Sequence, residues 1–188
     1  RRPVVPVFWL AGDDHDYAEG ASTAWLGADG GLVHASLDPR PPDAPMVPLA
    51  REPVPPRVND LIADLATALP DSPARSATID WLRRHYRTGQ TLAGAFGGAM
   101  AELLGPLGIV CFDATSPAAK AAAAPVLLRA LDQARDLDQI LAGRAAELDT
   151  VGEGAGVRVG DGAALVFLEG DDGRDRLRRR PAGTPDCL

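Results

Sequence analysis

VPVFWLAGDDHDYAE, residues 5–19, drives an apolar run straight into Asp13, Asp14, His15 and Asp16. Residues 4–11 (VVPVFWLA) are rich in strand-forming types, which predicts a fully buried interior strand of a parallel sheet. Pro6 belongs near the start of such a strand. Three carboxylates crowded together repel one another, and neither they nor the imidazole gain from burial. Their place on the end of a buried strand therefore needs a chemical reason.

A second stretch repeats the pattern. LGIVCFDA, residues 107–114, is strongly apolar and also ends in an acid, Asp113. Thr115 follows, then Ser116 as a helix N-cap with Pro117 at the first helical position. In open α/β sheets ligands gather outside the carboxyl ends of the strands, so Asp13–Asp16 and Asp113 are candidates for one site.

The intervening sequence supplies the connections. STAWL, a turn at ADGG and LVHASL predict a β-hairpin, with Gly30 and Gly31 providing positive φ angles. His34 on its second strand is read as structural. Ten of the 17 prolines lie in the first 56 residues, so Pro39–Pro56 is predicted to be an extended connection. Val58, Leu61, Ile62, Leu65 and Leu69 have helical spacing and predict a helix over 57–69. SPARSATIDWLRRHY predicts a second helix, with Ser72 as N-cap and Pro73 at its first position. His85 falls on it beside three arginines and is assigned to a solvated face. TLAGAFGGAMAELLG is a third helix whose small residues permit close approach to a neighbour. Helix is expected to dominate from Pro117 to about Leu148.

The resulting organisation is a core strand with the GDDHD motif and hairpin at 1–38, and a proline-rich connection at 39–56. Helices with the core strand 107–114 occupy 57–150, a small β meander 151–178, and a disordered tail 179–188. The absence of an initiating methionine and the aperiodic ending RRRPAGTPDCL suggest an interior piece of a longer protein.

Composition excludes several functions. A net charge of -7 argues against nucleic acid, which needs a basic face. No apolar run reaches the length of a membrane span, and no signal-peptide pattern is present, so a cytoplasmic location is expected. Two cysteines, Cys111 and Cys187, suggest neither a disulfide framework nor a cysteine metal site. Lys120 is the only lysine, it lies in a helical run, and no GxxxxGK[ST] occurs. Walker-type and Schiff-base chemistry are therefore excluded for this segment.

Three readings of GDDHD remain open on side-chain chemistry. A histidine flanked by carboxylates can shuttle a proton, because a carboxylate fixes its tautomer. Two aspartates and a histidine also offer ligands for a divalent cation. Alternatively, Asp14 or Asp16 caps the next helix and the rest is solvated. Gly12 lets the backbone approach a ligand closely.

VPVFWLAGDDHDYAE is similar to the signature of the cysteine ligases of bacillithiol biosynthesis, the BshC family. That signature is a Pro-Val strand with tryptophan, running into Ala-Gly-Glu-Asp-His-Asp-Phe. GIVCFDATSPAAK resembles the same family's Gly-Leu-Val strand, with its aspartates, proline and lysine. The order of elements agrees from residue 3 to about 178. The resemblance implies an α/β fold. It has a Rossmann-like parallel-sheet core like that of class I aminoacyl-tRNA synthetases, with helical and connecting insertions and incomplete at both ends. It implies a ligase, unrelated to ATP-grasp enzymes, that joins cysteine to glucosaminyl-malate in the last step of making a low-molecular-weight thiol. His15, held by Asp14 or Asp16, is then the candidate base or amine-positioning residue. Gly12, Asp13, Trp9 and Asp113 are the candidate substrate-binding residues, and no metal is expected. ATP or ADP is the candidate cofactor, although the family's nucleotide-loop-like motif lies upstream of these residues. The full-length protein is expected to be a homodimer through a coiled coil outside this segment, and the segment alone is expected to be inactive.

Departures from the family pattern are local. Asp13 stands in place of Glu and Tyr17 in place of Phe. Gly20, Ala21 and Ser22 occupy positions where the family has an apolar residue followed by Asn-His. Ser116 replaces an aspartate but keeps the cap. The alternatives are a metal-dependent hydrolase using the strand-end acids, and a non-catalytic partner-binding module presenting the proline-rich stretch and helices.

Overall fold

A computed structural model describes residues 2–156, 163–171 and 173–178. The chain divides into two compact units, Arg1–Ala119 and Lys120–Leu188.

The first unit runs β1 (Val7–Leu10), α1 (Tyr17–Gly20), β2 (Ser22–Leu26), β3 (Leu32–Ser36), α2 (Val58–Ala68), α3 (Pro73–His85) and α4 (Leu92–Leu104). A 3-10 turn at Gly105–Leu107 leads into β4 (Val110–Asp113). β1 and β4 pair in parallel, with Val7 opposite Val110 and Leu10 opposite Asp113. Helices separate them in sequence, as a parallel connection requires. This parallel pair with intervening helices agrees with the Rossmann-like core that the resemblance implied.

The helices begin where their caps say. Ser72 Oγ accepts from Arg75 N at 3.1 Å, with Pro73 opening α3. Thr91 Oγ1 does the same for Gly94 N, also at 3.1 Å, at the head of α4. These oxygens satisfy N–H groups that a helix start leaves without an internal partner. The periodic face of α2 buries Val58 and Ile62, and both join a core with Ile79 of α3 and with Leu92 and Ala95 of α4. Truncating Ile79 to alanine would remove about 2–5 kcal/mol from that core.

β1 differs from expectation. Only Leu10 is buried, whereas Val7 and Trp9 are 56% and 63% exposed. The cause is strand alternation over a sheet that has two strands among the described residues. Phe8 and Leu10 face α4, where the Phe8 and Phe96 rings lie 6.1 Å apart and Leu10 packs at Gly97. Val7 and Trp9 face the other way with Val110 and Phe112, and this second face is left exposed.

The hairpin forms as predicted, but only Gly30 has a positive φ (79°), and Gly31 does not. The loop spans five residues, and Asp29 Oδ1 accepts from Gly31 N at 2.9 Å, so the side chain does the turning that a second left-handed glycine would. The proline-rich segment 39–56 is more than a connection. Among the described residues it contains the largest fully buried side chains, Val54 and Pro48. Its backbone ties to the start of α4 through Leu92 N to Glu52 O at 2.8 Å and Val54 N to Gln90 O at 2.9 Å.

α5 (Pro117–Asp132) starts on the predicted cap, Ser116 Oγ accepting from Ala119 N at 3.3 Å. It continues into the second unit, followed by α6 (Ala134–Thr150), β5 (Ala163–Gly170) and β6 (Gly173–Arg178). β5 and β6 form an antiparallel hairpin closed by Gly170 opposite Gly173. Lys120 ion-pairs with Glu169 at 2.8 Å. The predicted GDG turn at 160–162 and the tail at 179–188 lie outside the described residues. No described helix is long and apolar enough to cross a membrane.

Candidate functional site

The chain leaves β1 through Ala11 and Gly12 and turns at once, with Asp14 N donating to Ala11 O at 3.1 Å. Asp14 organises the bend, because its Oδ1 accepts from His15 N at 2.7 Å and from Asp16 N at 3.1 Å. The same oxygen stands 3.5 Å from His15 Nδ1, an ion-pair distance longer than a good hydrogen bond. Asp16 is the N-cap of α1, accepting from Glu19 N at 3.0 Å. One acid thus faces the imidazole and another caps the helix, so the catalytic and capping readings fall on different residues of the cluster.

The proline-rich segment holds this bend from behind. Ala50 N donates to Gly12 O at 2.8 Å and Leu49 N to Asp14 O at 2.7 Å. Gly12 is buried, and a Cβ there would lie 3.1 Å from Ala93 Cβ and 3.3 Å from Thr115 Cγ2. The close approach that Gly12 permits is therefore to its own chain, where a ligand was expected.

On β4, Asp113 Oδ1 accepts from Thr115 N at 2.8 Å and from Thr115 Oγ1 at 2.6 Å. The two strand-end loops meet where Thr115 touches Gly12. Beside them lies a cleft of about 250 Å³, bounded by Leu10, Asp113 and Thr115, by Thr91 at the head of α4, and by Gly94 and Gly97 on it. The register of β1 against β4 thus brings Asp113 to the end of the strand that carries GDDHD. Trp9 stands on the opposite face, packed against Phe112 with ring centroids 4.8 Å apart and planes tilted by 48°, and does not line the cleft. Asp13 is exposed and His15 partly so. His34, also exposed, borders a separate hollow of about 350 Å³ on the hairpin flank that does not touch the motif.

His85 was assigned to a solvated face, and the structure corrects this. Its Nε2 lies 2.7 Å from Glu102 Oε2, its ring meets Trp81 edge-on at 6.2 Å, and its Nδ1 abuts Gly98 on the cleft wall. Arg84 Nη2 takes the other Glu102 oxygen at 2.5 Å. These two contacts, the arginine's first, hold the Glu102 carboxyl below the usual carboxylate range. Nothing in the sequence flagged this cluster, since the partners are 17 and 18 residues apart on different helices.

Among the described residues, no group of three or more His, Cys, Asp or Glu side chains is placed to hold a metal ion. Among the described residues, no cationic side chain lines the cleft, and Asp113 places a carboxylate on its wall.

A parallel strand pair joined through helices is the arrangement of a Rossmann-like α/β domain. The family described as "Bacillithiol biosynthesis BshC, N-terminal Rossmann-like domain" matches residues 1–184, and the chain belongs to that family. Relatives named "Putative cysteine ligase BshC" agree. One from Koribacter versatilis is 33% identical over 177 residues, covering 94% of this chain and 32% of the relative. Another, from Solibacter usitatus, is 34% identical over 181 residues, covering 94% and 33% respectively. A third, from Symbiobacterium thermophilum, is 33% identical over 147 residues, covering 72% and 26%. The chain spans about a third of the length of the first two.

Proposed function

We propose that this chain supplies the acid-lined wall of the site of a ligase that joins the carboxyl of cysteine to the amine of glucosaminyl-malate, in bacillithiol synthesis. The observation that carries it is the pairing of Leu10 with Asp113, which sets GDDHD and a further carboxylate at one end of the parallel strands. A carboxylate rim attracts an amine in its ammonium form. That form has no lone pair for attack, so one proton leaves to solvent first, and a base must remove a second from the nitrogen as the C–N bond forms. His15, oriented by Asp14, takes that proton. The nitrogen lone pair forms the new bond to the activated carboxyl carbon, and the activating group leaves with its electron pair. ATP enters as the co-substrate of the complete protein.

The test is made on the complete open reading frame. Purified protein given cysteine, glucosaminyl-malate and ATP is expected to form the thiol product, detected by mass spectrometry, and His15→Ala to lose it. Absence of product from the unmodified protein overturns the reading.

A further inference from the structure

α1 is a single turn of four residues, Tyr17–Gly20. So short a helix does not hold itself together, because nucleation costs more than one turn of hydrogen bonds returns. Asp14 orders the bend locally through His15 N and Asp16 N, and contacts from outside the turn must add to it. Tyr17, the next residue, is where outside contacts converge. Its hydroxyl donates to Asp38 O at 2.8 Å, its ring packs on the hydrophobic core, and its amide donates to His15 O at 2.9 Å. Over the ring lies the guanidinium of Arg40, 5.1 Å from the centroid.

Arg40 is itself fixed. Its Nη2 donates to Glu52 Oε2 at 3.0 Å and to Val47 O at 3.2 Å, and the Arg40 and Glu52 side chains are only 13% and 14% exposed. A planar guanidinium can stack on a ring and reach a carboxylate at once, which a lysine ammonium cannot do with the same geometry. Both charged partners lie in the proline-rich segment, whose backbone also grips Gly12 and Asp14.

We propose that Arg40 is a positioning residue: with Glu52 it clamps Tyr17, and through Tyr17 it fixes the direction of His15 and Asp16. The inference rests on the proposed ligase function only for its turnover readout. A purely structural ion pair predicts something different. Removing one member would destabilise the fold by leaving the other, mostly buried charge alone, and removing both would restore the protein in every respect.

The experiment uses the complete protein and the variants Arg40→Met, Arg40→Lys and Arg40→Met/Glu52→Gln. Thermal unfolding, kcat and KM for cysteine, and the His15 imidazole proton resonance are measured, with His15→Gln giving the assignment. Arg40→Met is expected to lower kcat at least about tenfold, with KM changed less than about twofold, and to move the His15 resonance. The double variant is expected to regain thermal stability but neither kcat nor the resonance. Arg40→Lys should recover only part of kcat, and it is read by the same criteria if Arg40→Met does not fold. Recovery of kcat by the double variant, or an unmoved His15 resonance in folded variants, overturns the proposal. If the unmodified protein forms no product, the ligase reading falls, and the His15 resonance still decides the role of Arg40.

Discussion

Gly12 and Thr115 touch across the two strand ends: a Cβ placed on Gly12 would stand 3.3 Å from Thr115 Cγ2. Thr115 cannot swing away freely, since its hydroxyl is bonded to Asp113 Oδ1 at 2.6 Å. On the other side Ala93 Cβ, at 3.1 Å, has no rotamer to change. Gly12→Ala should therefore destabilise the protein by about 1–3 kcal/mol through overpacking. A urea midpoint equal to that of the unsubstituted protein would show that the loops have room to part.

Glu102 makes stability depend on acid. Its folded-state pKa is lowered, by the Arg84 hydrogen bond first and by His85 second. The unfolded chain then binds more protons in the window below the usual carboxylate range, so this stability is present above that range and lost as pH falls through the folded value. Thermal midpoints should drop on acidification, and Glu102→Gln should flatten part of that drop. An acid limb unchanged in Glu102→Gln would assign the dependence to other carboxylates.

Tyr17 acts at the opposite limit. Burial foremost, and then the Glu52 carboxylate, raise its phenol pKa, and Arg40 partly offsets them. A raised folded value means stability that is complete below the ordinary tyrosine range and lost as pH rises through the folded value. Tyr17→Phe should cost about 0.5–1.5 kcal/mol at neutral pH, through the missing bond to Asp38 O, while making the alkaline limb shallower. Tyr86, also raised by burial, keeps its share of that limb in the variant. An alkaline limb equally steep in Tyr17→Phe counts against the assignment.

What could be read in the sequence was local. Ser72 with Pro73, and Ser116 with Pro117, mark helix starts through side chains that bond three residues ahead, and α2 shows its buried face by spacing alone. The two acid-ended strands were legible for the same reason, but that they lie side by side, Leu10 opposite Asp113, came only from the structure. The exposure of Val7 and Trp9 was not legible, because a strand's own residues do not say how many neighbours cover it. The Arg40 clamp and the His85–Glu102 pair were hidden too. Each depends on elements folding against one another across 12 or more residues, and an arginine or histidine looks alike in a loop, on a solvated face or in a clamp.

The pairing of β1 with β4 also has a bearing on time. Partners in this ladder are about a hundred residues apart in the chain. During synthesis GDDHD emerges roughly 5 to 20 s before the strand that completes its surroundings. Over that interval β1 is an apolar ribbon with two open edges, the kind of segment that pairs with the wrong neighbour. The aspartates that crowd its end put charge on the nascent chain where such mispairing would begin, and Pro6 removes a donor from the other end. The residues proposed to do chemistry in the finished protein are thus also placed to keep the unfinished one from sticking to its neighbours.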